Sequence, residues 1–554
     1  DNFNYDDLNN KFPLLKNSDN SNVLPNQSPI YIEEKDVDIK TVSTLREDGN
    51  RLKVRLEITN PKNLEIEKVI IENMDLEITE KRNKNGITYI DLIAIPTKYY
   101  DNYHITEIKY IKDDKEYSQN TQYLIEEAFY KEITKFEDWQ NIEKESYENY
   151  RLLTDLDFTG KQNINYNVKI GRLVTEGKIH TIKNLTLNIR SGTSGLISIL
   201  KNGIENIKFE NININVINES QGTSINYAGI IGRCEGDIKN IEFNNININI
   251  TGQVLGIGCI GIYEGIFIDT VKTNNIYIVD KTSHGRSVYI GGTFGFLKYG
   301  EAKNIEGNNI NIDANVKYVG GIIGYMTEIT GSPYTSNIKI ENSNIKGNNA
   351  VGGVVGQGGF TENITVSNCT IEGNENVGGV VGSQAYYDGG LENTLVTDSY
   401  IKGVNYVGGI FGGGGRIANA KVLNSTIEGI SSNSVSVGGI VGQEGWTPNG
   451  SYIKNSKVIS KGINVGGIVG KSVSGVAQGY AENVLVEGYA NVGGIAGYAN
   501  QGGISGSYTN ADVIATEHSA GGIVGQLNNE GMDNINKVSQ IFKNYYAGGT
   551  IQGK

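Results

Sequence analysis

Histidine and cysteine are nearly missing from this 554-residue chain, with four of the first and three of the second. Cys234, Cys259 and Cys369 are far apart and odd in number, which excludes a disulfide framework and a CxxC metal knuckle. His104, His180, His284 and His518 never fall at HExxH spacing, so the chain carries no zincin site. Proline occurs only 7 times, which rules out collagen and proline-rich linkers. No window approaches ~18 uninterrupted apolar residues, so no membrane insertion is expected. Basic residues are outnumbered 49 to 62, a net charge of −13, the wrong sign for a nucleic-acid binder. GxSxG elbows, Walker loops and EF-hand patterns are absent. The first residue is Asp1 and no signal peptide precedes it, so the chain reads as a mature or excised piece of a longer protein.

Glycine is the excess, 72 residues and about twice the ordinary share. At 38% hydrophobic and 20% charged, the chain can bury a core and is too apolar for wholesale disorder. The glycines concentrate in a repeated hexapeptide. VGGIIG starts at Val319, VGGVVG at Val351 and Val377, VGGIFG at Val407, and VGGIVG at Val437 and Val465. VGGIAG follows at Val492 and AGGIVG at Ala520, and degenerate copies start at Ala228, Ile257 and Ile290. The mean period is about 29 residues, which marks a solenoid, propeller or array.

Upstream of each hexapeptide lies a run such as Asn337–Gly347 or Asn363–Gly373, alternating β-branched and polar residues as a strand does. A propeller blade needs about 40–45 residues, whereas about 29 hold three short strands, one coil of a parallel β-helix. Like residues then stack on like at ~4.8 Å. In Val351–Gly356 strict alternation puts Val351, Gly353 and Val355 on one face and Gly352, Val354 and Gly356 on the other. The glycines are expected to give corners with φ > 0 and close backbone approach. The recurrent asparagines suit turns and can hydrogen-bond along a ladder.

The remaining regions differ. Residues 1–28 are polar and read as an extended lead-in. Tyr31–Ile39, Leu52–Thr59, Ile66–Glu72, Leu76–Glu80, Thr88–Ala94 and His104–Lys112 read as strands separated by turns such as Asn60-Pro61 and Lys84-Asn85-Gly86. They predict a small immunoglobulin-like β-sandwich over 29–118. Residues 122–148 carry the only helical spacing, so 119–149 is expected to be a linker and a short helix capping the solenoid's first coil. The solenoid itself is expected over 150–554 as a right-handed parallel β-helix of roughly 14 coils. The fold class is all-β.

Chemistry is sparse. Asp388, Glu444, Arg416 and Glu362 are scattered rather than clustered as a carbohydrate-cleaving solenoid needs. His284 and His180 read as turn residues. Connectors of varying length follow the hexapeptides, and in a solenoid such insertions emerge on one edge, often the binding edge. Tyr386, Tyr387, Trp446 and Tyr452 fall in them and are the candidate ligand-binding ridge; no catalytic or metal-ligating residue is assigned.

Tyr150–Phe158, YRLLTDLDF, resembles the YRLTADLDF opening of bacterial GLUG-repeat solenoids. Gly177–Thr186, GKIHTIKNLT, is similar to their GxHTIxNLxI coil, Gly195–Ser198 stands where they have GLFG, and Ile204–Ile207 matches the following IxNL. The later VGGIVG series resembles the GLUG motif itself, so the resemblance covers about 136–554. Two groups carry such repeats: streptococcal-type immunoglobulin A1 proteases with related Gram-positive surface zinc metallopeptidases, and secreted adhesins. The sandwich followed by the solenoid opening is similar to the protease arrangement. That resemblance implies a non-catalytic, extracellular scaffold or substrate-binding region on the bacterial cell surface. It implies a host glycoprotein such as immunoglobulin A1, or a glycan, as partner. Cofactors are expected nowhere in this chain; zinc would belong to a further C-terminal catalytic domain. A surface adhesin or fibre is the alternative, and a carbohydrate-active solenoid the third.

Overall fold

The computed structural model describes residues 35–47, 50–217, 225–282, 287–327, 333–384, 390–443, 449–500, 503–528 and 541–553. Three short antiparallel strands, Phe3–Asn4, Leu14–Lys16 and Asn22–Val23, are also described; the rest of the lead-in lies outside the described residues. Two compact units result, one of residues 1–97 and 102–126, the other of 98–101 and 127–554. Among the described residues strand dominates, about 67%, and helix is almost absent.

Besides those three short strands, the first unit holds seven longer ones among the described residues: β1 (Asp38–Arg46), β2 (Leu52–Thr59), β3 (Glu65–Ile71), β4 (Met74–Lys84), β5 (Ile87–Pro96), β6 (Tyr103–Lys112) and β7 (Lys115–Ile125). They form two antiparallel sheets, β1-β2-β5-β4 and β7-β6-β3, the strand order of a constant-type immunoglobulin sandwich. Alternation supplies the core: Leu52, Val54, Leu56 and Ile58 of β2 are buried, as are Ile90, Leu92 and Ala94 of β5. The turn at Asn85-Gly86 has φ of 54° and 75°, the paired positive values of a type I′ hairpin. Asn60 is fully buried and works as a clamp: its Nδ2 donates to the Leu64 carbonyl and to Thr88 Oγ1, and its Oδ1 accepts from the Leu64 N–H.

The second unit is a parallel β-solenoid of about 12 turns, fewer than the 14 expected. One face is a 12-stranded sheet with one strand per coil, a 35-stranded sheet winds along the coils, and Gly475–Ala477, Gly503–Ser505 and Ile541–Phe542 form a further 3-stranded sheet near the end. Coil length is not constant: equivalent asparagines lie 34 residues apart between Asn211 and Asn245 and 26 apart between Asn342 and Asn368. The core is columnar. Ile207, Ile241, Val271, Ile305, Ile338 and Ile364 stand in register on successive coils, each at most 1% exposed. Each such side chain contributes about 1.5–3 kcal/mol by leaving water.

The hexapeptide corrects the expected alternation. Val351, Val354 and Val355 are all fully buried. Asn349–Gly352 and Val355–Gln357 are separate strands joined by a bend at Gly353-Val354. The bend resets the side-chain phase, so two neighbouring valines both point inward. The glycines are not there for positive φ, because none of the three in Val351–Gly356 has it. They are there for space. A Cβ on Gly352 would lie 1.9 Å from the Val355 carbonyl oxygen, and one on Gly353 would lie 2.1 Å from that of Gly379 in the next coil.

Asparagine takes the left-handed corners instead. Asn184, Asn211, Asn245, Asn275 and Asn309 all have φ between 52° and 62°. Each amide donates to the preceding coil: Asn211 to Asn184 (3.0 Å), Asn245 to Asn211 (3.0 Å), Asn275 to Asn245 (2.9 Å) and Asn309 to Asn275 (2.8 Å). Asp157 ends the row by accepting from Asn184 (2.8 Å). The expected ladder is therefore present, and it does the conformational work assigned to glycine.

The expected helix shrinks to Phe136–Gln140. Leu124 and Ile125 belong to β7, and Lys131–Ile133 is already a solenoid strand paired with Tyr150–Leu152. A 3–4 spacing of apolar residues here comes from strand alternation interrupted by corners. The short helix does cover the first coil. Trp139 is fully buried in the solenoid core, its Nε1 donates to the Asn165 carbonyl (2.8 Å), and its ring meets Phe158 edge-on.

Candidate functional site

Tyr386, Tyr387 and Trp446 lie outside the described residues, as do His284, Asp388 and Glu444. Tyr452 is described, and it begins the strand Tyr452–Ser460 rather than sitting on a loop. Its hydroxyl donates to Glu482 Oε2 (2.6 Å), and Lys454 pairs with the same carboxylate (2.9 Å). Burial, then the Glu482 hydrogen bond, pushes the Tyr452 phenol up. In register with it on later coils are Tyr480, Tyr508 and Tyr545, of which Tyr480 and Tyr545 are exposed. Tyr452 thus belongs to a column on a strand face, which its place after a hexapeptide had hidden.

The densest aromatic surface lies elsewhere. Tyr227, Gly256, Tyr289 and Tyr318 stand in register on four successive coils, each just before a hexapeptide position. Arg233, Ile262, Phe296 and Tyr325 stand in register just after it. The bend folds the two columns toward each other. Tyr289 lies 4.8 Å from Tyr325, 5.5 Å from Phe296 and 5.5 Å from Tyr318, while Tyr227 lies 6.3 Å from Phe296, ring centre to ring centre. These four contacts are tilted, while Phe296 and Tyr318 each meet Tyr325 edge-on, at 5.2 Å and 5.6 Å. Gly256 makes room, because a Cβ there would lie 2.9 Å from Tyr227 Cδ1. The result is a furrow of five half-buried or buried rings on the outside of the coil.

One end of the furrow is charged. Glu264 pairs with Lys298 (2.7 Å) and with Arg233 (3.4 Å). Lys317 sits 4.8 Å over the Tyr318 ring at the other end. Burial pushes the Tyr227 phenol up, so it stays neutral across physiological pH. The signal for this site was present in the sequence as Tyr318-VGGIIG-Tyr325, an aromatic on each side of one hexapeptide.

The other reactive side chains are structural. Among the described residues the three cysteines are free and buried. Burial raises all three thiols, Cys234 up to about 12 and Cys369 up to about 11. Cys369 takes one place in a row of buried serines: its N–H donates to Ser399 Oγ, the Ser399 N–H to Ser425 Oγ, and the Ser425 N–H to Ser456 Oγ, each 3.1 Å. His180 is no turn residue; it begins the strand His180–Ile189 and is buried with Nδ1 3.0 Å from Asp155 Oδ1. Among the described residues no group of three or more His, Cys, Asp or Glu side chains is placed to hold a metal ion. Also among the described residues, no helix is long and apolar enough to cross a membrane.

Comparison with protein-family models, curated proteins and solved structures finds no match to this chain.

Proposed function

We propose that this chain is a non-catalytic recognition scaffold of a larger extracellular protein of the Gram-positive cell surface. In this reading the solenoid holds a host glycoprotein against its furrow, and immunoglobulin A1 is the partner that the GLUG-type repeats suggest. The observation that carries the reading is the five-ring furrow of Tyr227, Tyr289, Phe296, Tyr318 and Tyr325. Soluble proteins seldom gather that many rings on a surface without a use, and tyrosine is enriched where proteins meet. Zinc chemistry, on this reading, belongs to another domain of the parent protein.

The furrow sits on strands rather than loops, so little order is lost on binding. A central tyrosine in such a surface is worth about 2 kcal/mol or more, a factor of roughly 30 in affinity. The double variant Tyr289→Ala/Tyr325→Ala should weaken capture of immunoglobulin A1 in biolayer interferometry by at least that factor. Both side chains are half-buried on the outer face, so circular dichroism should show the solenoid retained. Unchanged affinity in a folded variant would reject the furrow as the contact surface.

A further inference from the structure

A second surface on the solenoid has a different chemistry. Tyr277 stands in register with Asn311, Asn344, Thr370 and Tyr400 on successive coils. Two large rings thus bracket three short polar side chains. A cleft of about 290 Å³ runs along the column from Tyr277 over Asn311 and Asn344 to Thr370 and Glu372, short of Tyr400. That volume is near the lower limit of ordinary ligand clefts. At the strand spacing, Tyr277 and Tyr400 are about 19 Å apart, room for roughly four linked sugar rings at one per coil.

The lining settles the ligand class. Tyr277 is 45% exposed in the middle of a strand, so its ring is open as a stacking platform at one end. The floor is amide. Asn344 Nδ2 donates to Asn311 Oδ1 (2.9 Å), and Asn311 Nδ2 donates to Asn309 Oδ1 (2.9 Å), so each amide is held in place while keeping capacity for a ligand hydroxyl. Beside the floor runs a charged column of Asp313, Lys346, Glu372 and Lys402. Lys346 and Lys402 both pair with Glu372, at 3.4 Å and 3.0 Å. With Asp313 in the same column, two carboxylates stand against the two lysines, so no surplus positive charge remains to attract a polyanion.

We propose that this trough binds a neutral oligosaccharide lying along the solenoid axis, with one pyranose ring stacked on Tyr277 and its neighbours hydrogen-bonded to Asn311 and Asn344. The trough and the tyrosine furrow have no residue in common. The proposal rests on the reading of the chain as a recognition scaffold and names the glycan chemistry that the scaffold takes.

The test is titration calorimetry of the whole chain with cellotetraose, chitotetraose, mannotetraose and a heparin tetrasaccharide. At least one neutral tetrasaccharide should bind and the heparin fragment should not. Tyr277→Ala should lower that affinity at least tenfold, and Tyr277→Phe, which keeps the ring, should stay within about threefold of the parent. Because Tyr277 is exposed, both variants should unfold at the parent temperature. Absence of binding to every neutral probe, preference for heparin, or full affinity in Tyr277→Ala would each overturn the trough. The furrow variant Tyr289→Ala/Tyr325→Ala separates the two readings. Immunoglobulin capture without sugar binding rejects the trough alone; sugar binding without immunoglobulin capture rejects the protein partner alone.

Discussion

Gly353→Ala and Gly177→Ala should behave in opposite proportion to what glycine statistics suggest. At ordinary negative φ, replacing glycine by alanine usually stabilises by about 0.4–1 kcal/mol, because the unfolded chain loses freedom. Gly353 has no positive φ, so on backbone grounds it should gain. In the solenoid its Cβ would lie 2.1 Å from the Gly379 carbonyl oxygen on the next coil, more than an ångström inside ordinary contact. That oxygen is backbone and cannot swing away. To relieve the clash the two coils must separate where Gly353 N–H donates to Gly378 (3.3 Å) and Val354 and Val355 N–H donate to Val380 (2.9 and 3.0 Å). Overpacking costs about 1–3 kcal/mol, and each of the three weakened ladder bonds about 1 more, for a loss of roughly 4–6 kcal/mol. Gly177 has φ of 77° and nothing within 4 Å of a built Cβ. Its alanine variant should lose only the left-handed penalty, about 1–2 kcal/mol. Urea unfolding followed by far-UV circular dichroism ranks the two. A Gly353→Ala protein as stable as the parent, or more stable than Gly177→Ala, would refute the account of the hexapeptide.

Three further outcomes are expected. Asn275→Ala removes the 2.9 Å bond to Asn245 and the 2.8 Å bond from Asn309 at a φ of 54°, a loss of about 2–3 kcal/mol in urea unfolding; Asn275→Gly keeps the backbone geometry and should lose less. In the sandwich, hydrogen bonds from Lys112 and then Lys62 hold the Asp36 carboxyl down at about 2, below its ordinary 3.8. The unfolded chain therefore takes up that proton first, so the stability Asp36 supplies is full above about pH 4 and fades as pH falls toward 2. The stability difference between parent and Asp36→Asn should close over that window, and a constant difference would contradict the pairing. The three buried thiols should resist Ellman's reagent in the folded protein and all react once it is unfolded in urea.

The coil repeat and the asparagine ladder were legible because like residues recur at one phase and stack on themselves. The strand Leu52–Thr59 was legible because alternating burial is written directly in its residues. β7 was missed because Lys115–Leu124 is half-exposed or exposed throughout and shows no apolar alternation. β1 runs over Asp38–Arg46, later than the Tyr31–Ile39 expected, for the same reason: none of its residues is buried. The role of the hexapeptide glycines was not legible, since the atom each would strike lies in another strand or another coil. The furrow is the same case. Aromatics on either side of one hexapeptide are visible in the sequence, but the bend that brings Tyr318 within 5.6 Å of Tyr325 is not. Attention to connectors pointed instead to Tyr452, which the strand register joins to Tyr480 and Tyr508.

The proposed scaffold role requires the chain to bind a glycoprotein without cutting it. The direct measurement is biolayer interferometry of the whole chain on immobilised immunoglobulin A1, with the immunoglobulin heavy chain from a parallel incubation run on a gel. The account predicts saturable binding and an intact heavy chain. Cleavage would contradict the non-catalytic assignment, and no binding would contradict the choice of immunoglobulin A1 as partner.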